Sequence, residues 1–253
     1  MSKLAGKVAI VTGGTSGMGR AIAGRFAHEG AAIVLGGRNV ERGAAVVTEV
    51  RRSGGRCVFI AGDVADPEVN RRLVDAAVDA FGGVDVLVTN VGTLGLGSVT
   101  EVPLDVWHET ISVNLHSVFY LLRSGIPELK KRGGGTVVVN GSIAAVRAFP
   151  NHAAYCAAKA ALGGLVRQAA VDYGPDIRVN MMCPGPVDTP LLWDSARAFP
   201  DPATAVADAG RRTQLGRIGT PDEIASLALF LASGDSSWIT GAAFTIDGGA
   251  TCA

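Results

Sequence analysis

Short runs of β-branched and other apolar residues alternate along the chain with longer alanine-rich stretches whose apolar positions recur at helical spacing. The runs Val8–Val11, Ala32–Leu35, Cys57–Ala61, Val84–Val88, Thr136–Asn140, Arg178–Met182 and Ala243–Ile246 are close to continuously apolar, so each predicts a strand with both faces covered. Between them, helices are predicted over Gly17–Glu29, Val40–Arg52, Pro67–Phe81, Leu104–Leu122 with an extension to about Lys131, His152–Tyr173 and Asp222–Ala232. Strand and helix taking turns is the pattern of βαβ units. It predicts an α/β, doubly wound single domain over residues 1–253, with a seven-stranded parallel sheet flanked by helices on both faces.

One stretch breaks the rhythm. Residues 190–213 follow a Pro184-Gly185-Pro186 turn, contain Pro200 and Pro202, and carry Leu191, Leu192, Trp193 and Phe199. An irregular insertion of this length in a compact domain predicts a substrate lid.

Composition narrows the partners. Lys+Arg and Asp+Glu both total 23, so no basic field favours nucleic acid or an anionic membrane. The four cysteines (Cys57, Cys156, Cys183, Cys252) form no CxxC, and the histidines show no ligand spacing, which indicates neither a disulfide framework nor a protein-built metal site. The N-terminus enters a short apolar run without a signal-peptide core, the pattern of a cytoplasmic protein.

The first predicted strand runs into Thr12-Gly13-Gly14-Thr15-Ser16-Gly17-Met18-Gly19-Arg20 and then directly into helix. Glycines there let the backbone approach a pyrophosphate, whose charge is stabilised by free N–H groups and the positive end of the helix. Further on, Tyr155 and Lys159 stand four residues apart in a predicted helix and so share a face. A nearby ammonium favours phenolate, and a phenol so tuned can act as acid or base. Taken alone, the same spacing fits an ordinary surface pair.

The glycine spacing is T-G-x-x-x-G-x-G rather than G-x-G-x-x-G, and with Tyr155-x-x-x-Lys159 downstream the chain resembles the short-chain dehydrogenase/reductases over nearly its full length. The resemblance implies a Rossmann-like domain, a catalytic set of Asn114, Ser142, Tyr155 and Lys159, and no metal. Ser142 would bond the substrate oxygen, Tyr155 would transfer its proton, and Lys159 would lower the phenol pKa and bind the nicotinamide ribose. Asn114 would hold a water connecting Lys159 to solvent. Read as residues alone, Ser142 could equally be a turn residue and Asn114 a satisfied core amide.

The same resemblance assigns the cofactor wall to Gly13, Thr15, Ser16, Gly17, Met18, Gly19, Asp63, Val64, Asn90 and Gly92, with Tyr155, Lys159, Pro184, Gly185, Val187 and Thr189 at the nicotinamide end. Thr89-Asn90-Val91-Gly92 departs from the family's Asn-Asn-Ala-Gly at Thr89 and Val91. The second strand ends in Gly36-Gly37-Arg38, a guanidinium where NAD-binding chains carry a carboxylate, which favours NADP(H) over NAD(H). Arg38 stacking on adenine or facing solvent is the alternative.

Leu94, Ser142, Ile143, Ala144, Phe149, His152, Tyr155, Leu191, Leu192 and Trp193 are expected around the substrate, a mostly apolar set that favours a neutral ketone or secondary alcohol. Arg147 could bind an anionic substituent or lie exposed on a loop, and His152 could equally be structural. The leading expectation is an NADP(H)-dependent oxidoreductase interconverting ketone and secondary alcohol. A 3-oxoacyl-thioester reductase, an NAD-dependent dehydrogenase of a cyclic or steroid-like alcohol, and a non-catalytic nucleotide-sensing regulator are the alternatives. The resemblance also suggests a homotetramer.

Overall fold

The computed structural model describes residues 2–252. Its centre is a seven-stranded, all-parallel sheet of β1 (Val8–Thr12), β2 (Ala32–Gly37), β3 (Arg56–Ala61), β4 (Val86–Thr89), β5 (Gly135–Asn140), β6 (Ile177–Pro184) and β7 (Ala243–Ile246), in the order β3-β2-β1-β4-β5-β6-β7. The order reverses between β1 and β4, where Ile10 lies level with Val34 on one side and Leu87 on the other. Connections leave these two strands in opposite directions, so a crevice opens beyond their carboxyl ends.

Side chains of each strand alternate between two cores. Val8 and Ile10 of β1 join Leu73, Leu121 and Leu162 beneath α3 (Pro67–Phe81), α5 (Ser117–Lys131) and α6 (Ala153–Tyr173). Ala9 and Val11 join Phe26, Val46 and Leu229 beneath α1 (Gly17–His28), α2 (Val40–Arg52) and α9 (Pro221–Ala232). Each fully buried Val, Leu or Ile contributes roughly 1.5–3 kcal/mol, so a sheet covered on both faces has a large apolar driving force. At the opposite edge from the crevice, buried Asp85 ties the sheet to its surroundings. Its carboxylate accepts from the Val8 N–H at 2.9 Å, from Arg132 at 3.1 Å and from Lys7 at 3.3 Å.

Most predicted elements stand within two residues of their expected ends, and the departures have local causes. Strand β4 starts at Val86, because buried Val84 still belongs to the turn after Gly82 and Gly83, both at positive φ. Strand β6 runs on to Pro184 because β7 pairs with it that far. The predicted helix from Leu104 to Lys131 is present but holds a π turn at Ser112–His116, between α4 (Leu104–Ile111) and α5. Asn114 Nδ2 takes the Thr110 carbonyl at 2.8 Å and Ser117 Oγ takes that of Val113 at 2.6 Å, so side chains compete with the main-chain ladder.

The expected irregular insertion is mostly helical: α7 spans Pro190–Ala196 and α8 spans Pro202–Arg211. Thr189 and Asp201 cap the two helices, and each proline occupies a first-turn position that needs no N–H. No helix among the described residues is long and apolar enough to cross a membrane.

Candidate active site

The crevice beyond β1 and β4 encloses about 360 Å³. Its floor is the turn from β1 into α1. Gly13 adopts φ 63°, and a Cβ on Gly19 would stand 2.2 Å from the Gly13 carbonyl and 2.5 Å from Asn90 Nδ2, so only glycine lets helix and loop approach this closely. Ser16 caps α1 in extended conformation without a side-chain bond, and no acidic residue occupies the first turn. Thr15, Ser16, Gly17 and Met18 face the crevice from a helix end whose free N–H groups suit an anion.

Arg38, Asp63 and Val64 line the far end of the crevice, with Asn39 and Arg42 beside them. Arg38 pairs with Asp63 at 3.7 Å while three-quarters of its side chain stays exposed. Arg42 was not among the expected residues. Its signal was its place in the first turn of α2, three residues after the Asn39 cap.

At the near end, Asn90, Val91, Gly92 and Thr93 follow β4 along the wall. Asn90 Nδ2 donates to the Gly13 carbonyl at 3.2 Å, and Asn140 Nδ2 donates to Asn90 Oδ1 at 2.8 Å. The carbonyl of Asn140 accepts from Lys159 Nζ at 3.0 Å. Lys159 is thus joined to the glycine turn through the buried Asn140 and the half-buried Asn90, of which Asn140 was not anticipated. Its position, two residues before Ser142 at the end of β5, was the available clue.

Tyr155 and Lys159 share one face of α6, with 8% and 3% of their surfaces exposed. Ser142 caps a short 3-10 turn, its hydroxyl accepting from the Ala144 N–H at 3.0 Å. A Cβ on Gly92 would lie 3.1 Å from Asn114 Oδ1 and 3.9 Å from Lys159 Nζ, so Asn114 and Lys159 converge where Gly92 leaves room. Asn114 is fully buried and its amide is spoken for. Nδ2 donates to the carbonyls of Thr93 and Thr110, each at 2.8 Å, and Oδ1 accepts from the Thr93 N–H at 3.4 Å.

The electrostatics differ from the expectation that Lys159 depresses the phenol. Burial pushes the Tyr155 hydroxyl up to about 12, with neighbouring Ser142 acting in the opposite direction. Burial likewise brings the Lys159 ammonium down to about 8. The ammonium faces the Asn140 carbonyl and stands 5.6 Å from the Tyr155 ring centre, so desolvation of the phenolate prevails.

Around Tyr155 lies a small apolar cluster in which Leu94, Ala144 and Tyr155 pack with Leu96, Phe149, Cys156 and Leu191, the last of which also lines the crevice. Ile143 is buried next to Ala144 in the same turn, and Leu192 is half-buried in α7. Trp193 and His152, both expected around the substrate, and Arg147 each have polar groups engaged by the protein. Trp193 turns outward, its indole N–H donating to Asp188 at 3.1 Å. His152 has both ring nitrogens engaged by the protein, Nδ1 by the Pro150 carbonyl at 2.6 Å and Nε2 by Ser195 Oγ at 2.9 Å. Arg147 donates to the Ala250 carbonyl, which spends one of its donors on the C-terminal turn.

Of the residues after β6, Thr189 lines the crevice. The Val187 side chain enters the core, and its carbonyl accepts from Thr189 Oγ1 at 3.2 Å. Pro184 closes β6, and a Cβ on Gly185 would strike Asp247 at 2.6 Å, so this pair shapes the bend.

A family model described as enoyl-(acyl carrier protein) reductase matches residues 13–251. The 2,5-dichloro-2,5-cyclohexadiene-1,4-diol dehydrogenase of Sphingobium indicum is 38% identical over 249 residues, covering 98% of this chain and 97% of its own. The cyclohexanol dehydrogenase of an Acinetobacter strain is 34% identical over 252 residues, covering 99% and 97%. Among solved structures, L-sorbose reductase from Gluconobacter frateurii, complexed with NADPH and L-sorbose, superposes with a TM-score of 0.92 at 33% identity and 98% coverage of each chain. Matched end to end in sequence and in fold, the chain belongs to the short-chain dehydrogenase/reductase family.

Proposed function

We propose that the protein interconverts a neutral ketone and a secondary alcohol, preferring NADP(H), with Tyr155 as the proton-transferring group. The observation that carries this reading is that Ser142 neighbours the Tyr155 hydroxyl while Lys159 comes within 3.9 Å of a Cβ placed on Gly92 in the crevice wall, with Leu191 shared between that crevice and the apolar cluster around Tyr155. A nicotinamide dinucleotide bound in the crevice supplies or takes up the hydride. The protein's share is polar. Ser142 Oγ holds the substrate oxygen, Tyr155 delivers or removes its proton, and Lys159, anchored on Asn140, sets the charge beside them.

With the phenol pushed up to about 12, Tyr155 is protonated at neutral pH and therefore ready to give its proton to a carbonyl oxygen. The reductive direction needs no prior ionisation; alcohol oxidation does. Asn114 commits its side-chain amide to Thr93 and Thr110, which fixes it beside Lys159.

The apolar side chains around Tyr155 favour an uncharged, compact substrate such as an alicyclic ring. Two of the relatives named above act on six-membered rings by their names. NADP(H) preference rests on Arg38 and Arg42 at the far end of the crevice. A homotetramer is supported by apolar side chains on α5 and α6 that the single chain leaves uncovered, Phe119 and Val171 among them.

A panel of cyclic and open-chain ketones, with 3-oxoacyl and enoyl thioesters alongside, assayed with NADPH and NADH in parallel, tests the reading. Oxidation of NADPH by a cyclic ketone is expected. Turnover of thioesters alone would transfer the reading to acyl-chain reduction, and light scattering that finds a monomer would end the tetramer proposal.

A further inference from the structure

The segment leading into α6 is fixed on two sides. Asn151 sits at φ 58°, a left-handed turn, and its carbonyl accepts from the Gly97 N–H at 2.8 Å, while the Ala153 N–H reaches the Gly97 carbonyl at 3.5 Å. Between these contacts lies His152, 4% exposed, its ring edge-on to Phe149 and to Tyr155. Because the Pro150 carbonyl can only accept, Nδ1 carries the hydrogen, and in the neutral ring Nε2 accepts from the Ser195 hydroxyl at 2.9 Å. A protonated ring would donate to Ser195 instead, so the contact exists in either charge state.

Ser195 belongs to α7, and α7 packs chiefly on α8. The polar contacts of residues 190–213 otherwise stay local: Trp193 with Asp188, Leu192 with Thr189, and the caps and ion pairs within the two helices. Among the described residues, the His152–Ser195 bond is the one hydrogen bond or ion pair joining residues 190–213 to any residue before Asp188. Leu191, on the same short helix, is the residue that reaches the apolar cluster around Tyr155.

We propose that His152 is a positioning residue for the substrate: through Ser195 it fixes α7, and with it Leu191, over Tyr155. It acts on which substrates fit, not on proton transfer. The kinetic half of this inference rests on the proposed function; the mechanical half does not.

Ser195→Ala keeps the imidazole and the start of α6 and removes only the tie. Hydrogen–deuterium exchange should then speed up across residues 190–199 by about fivefold, the factor expected for one hydrogen bond, with exchange in α6 unchanged. Ser195→Thr, which keeps the hydroxyl, should restore wild-type protection. In the ketone assay Ser195→Ala should raise KM by a similar factor and leave kcat within about twofold. His152→Asn should reproduce the exchange result. Unchanged protection of α7 in both variants would overturn the inference, as would a fall in kcat at constant KM. If wild-type protein reduces no ketone at all, the functional reading fails, and the exchange comparison still decides the clamp.

Discussion

Lys159 directs its ammonium to the main-chain carbonyl of Asn140 at 3.0 Å and stands 5.6 Å from the centre of the Tyr155 ring. Burial therefore pushes both partners of the expected proton-transfer pair toward their neutral forms, the phenol up to about 12 and the ammonium down to about 8.

These two values make opposite contributions to stability. The unfolded lysine binds a proton up to about 10.4, the folded one only to about 8, so stability should rise as pH increases across that window. The phenol folds with its proton retained to about 12 against about 10 when unfolded, so its contribution is fully present below the lower value and lost through the upper one. Urea midpoints measured across alkaline pH should climb and then drop. Lys159→Met should flatten the climb and Tyr155→Phe the drop; parallel curves for all three proteins would refute the buried assignments.

Tyr155→Phe removes the proposed proton donor and little volume. Turnover should fall by about 10²–10⁴, the usual share of acid–base catalysis, while NADPH binding followed by fluorescence stays near wild type. Near-normal turnover would remove Tyr155 from the chemistry. In wild type, alcohol oxidation should gain more than ketone reduction from rising pH, because the first needs the phenolate and the second the phenol.

Arg38→Ala should lower kcat/KM for NADPH by roughly tenfold to a hundredfold, the range for losing one charge-assisted hydrogen bond, and leave NADH little changed. Asp63 lies 3.7 Å from this guanidinium and competes for it. Asp63→Asn is therefore expected to shift preference further toward NADPH. Equal losses with both cofactors in Arg38→Ala would show the residue stacking on adenine instead.

Gly19→Ala places a methyl against the Gly13 carbonyl and the Asn90 amide. One of the two must move, and both belong to the crevice floor. Cofactor affinity should fall more than about tenfold with secondary structure by circular dichroism unchanged, whereas Gly24→Ala, five residues on with open space around its Cβ, should bind normally.

Asp85 is the counterpart for stability. Burial pushes its carboxyl up, but the Val8 N–H, Arg132 and Lys7 outweigh that and hold it below the usual carboxylate range. Its contribution is thus present above the unfolded carboxylate pKa and lost as pH falls through the folded one. Asp85→Asn should cost about 1–3 kcal/mol in urea unfolding at neutral pH and make the acid side of the stability profile shallower.

The sheet was legible because parallel strands covered on both faces must be apolar throughout, and Val8–Val11 or Ala32–Leu35 admit few other readings. The glycine turn and Tyr155-x-x-x-Lys159 were legible as local patterns. Less visible were features made by contacts distant in sequence. Nothing near Asn114 announces that Thr93 will bond its amide and help open a π turn, and nothing near His152 announces Ser195. The helices α7 and α8 were a different kind of miss. Thr189-Pro190 and Asp201-Pro202 are cap-and-first-turn signals, and prolines read as loop markers were helix starters.

Because α7 and α8 rest mainly on each other and enter no strand of the sheet, the proposed substrate cover and the foundation of the fold are separate modules. Substrate range can drift, or be exchanged by grafting residues 190–213 from another member of the family, without renegotiating the buried sheet that keeps the protein folded.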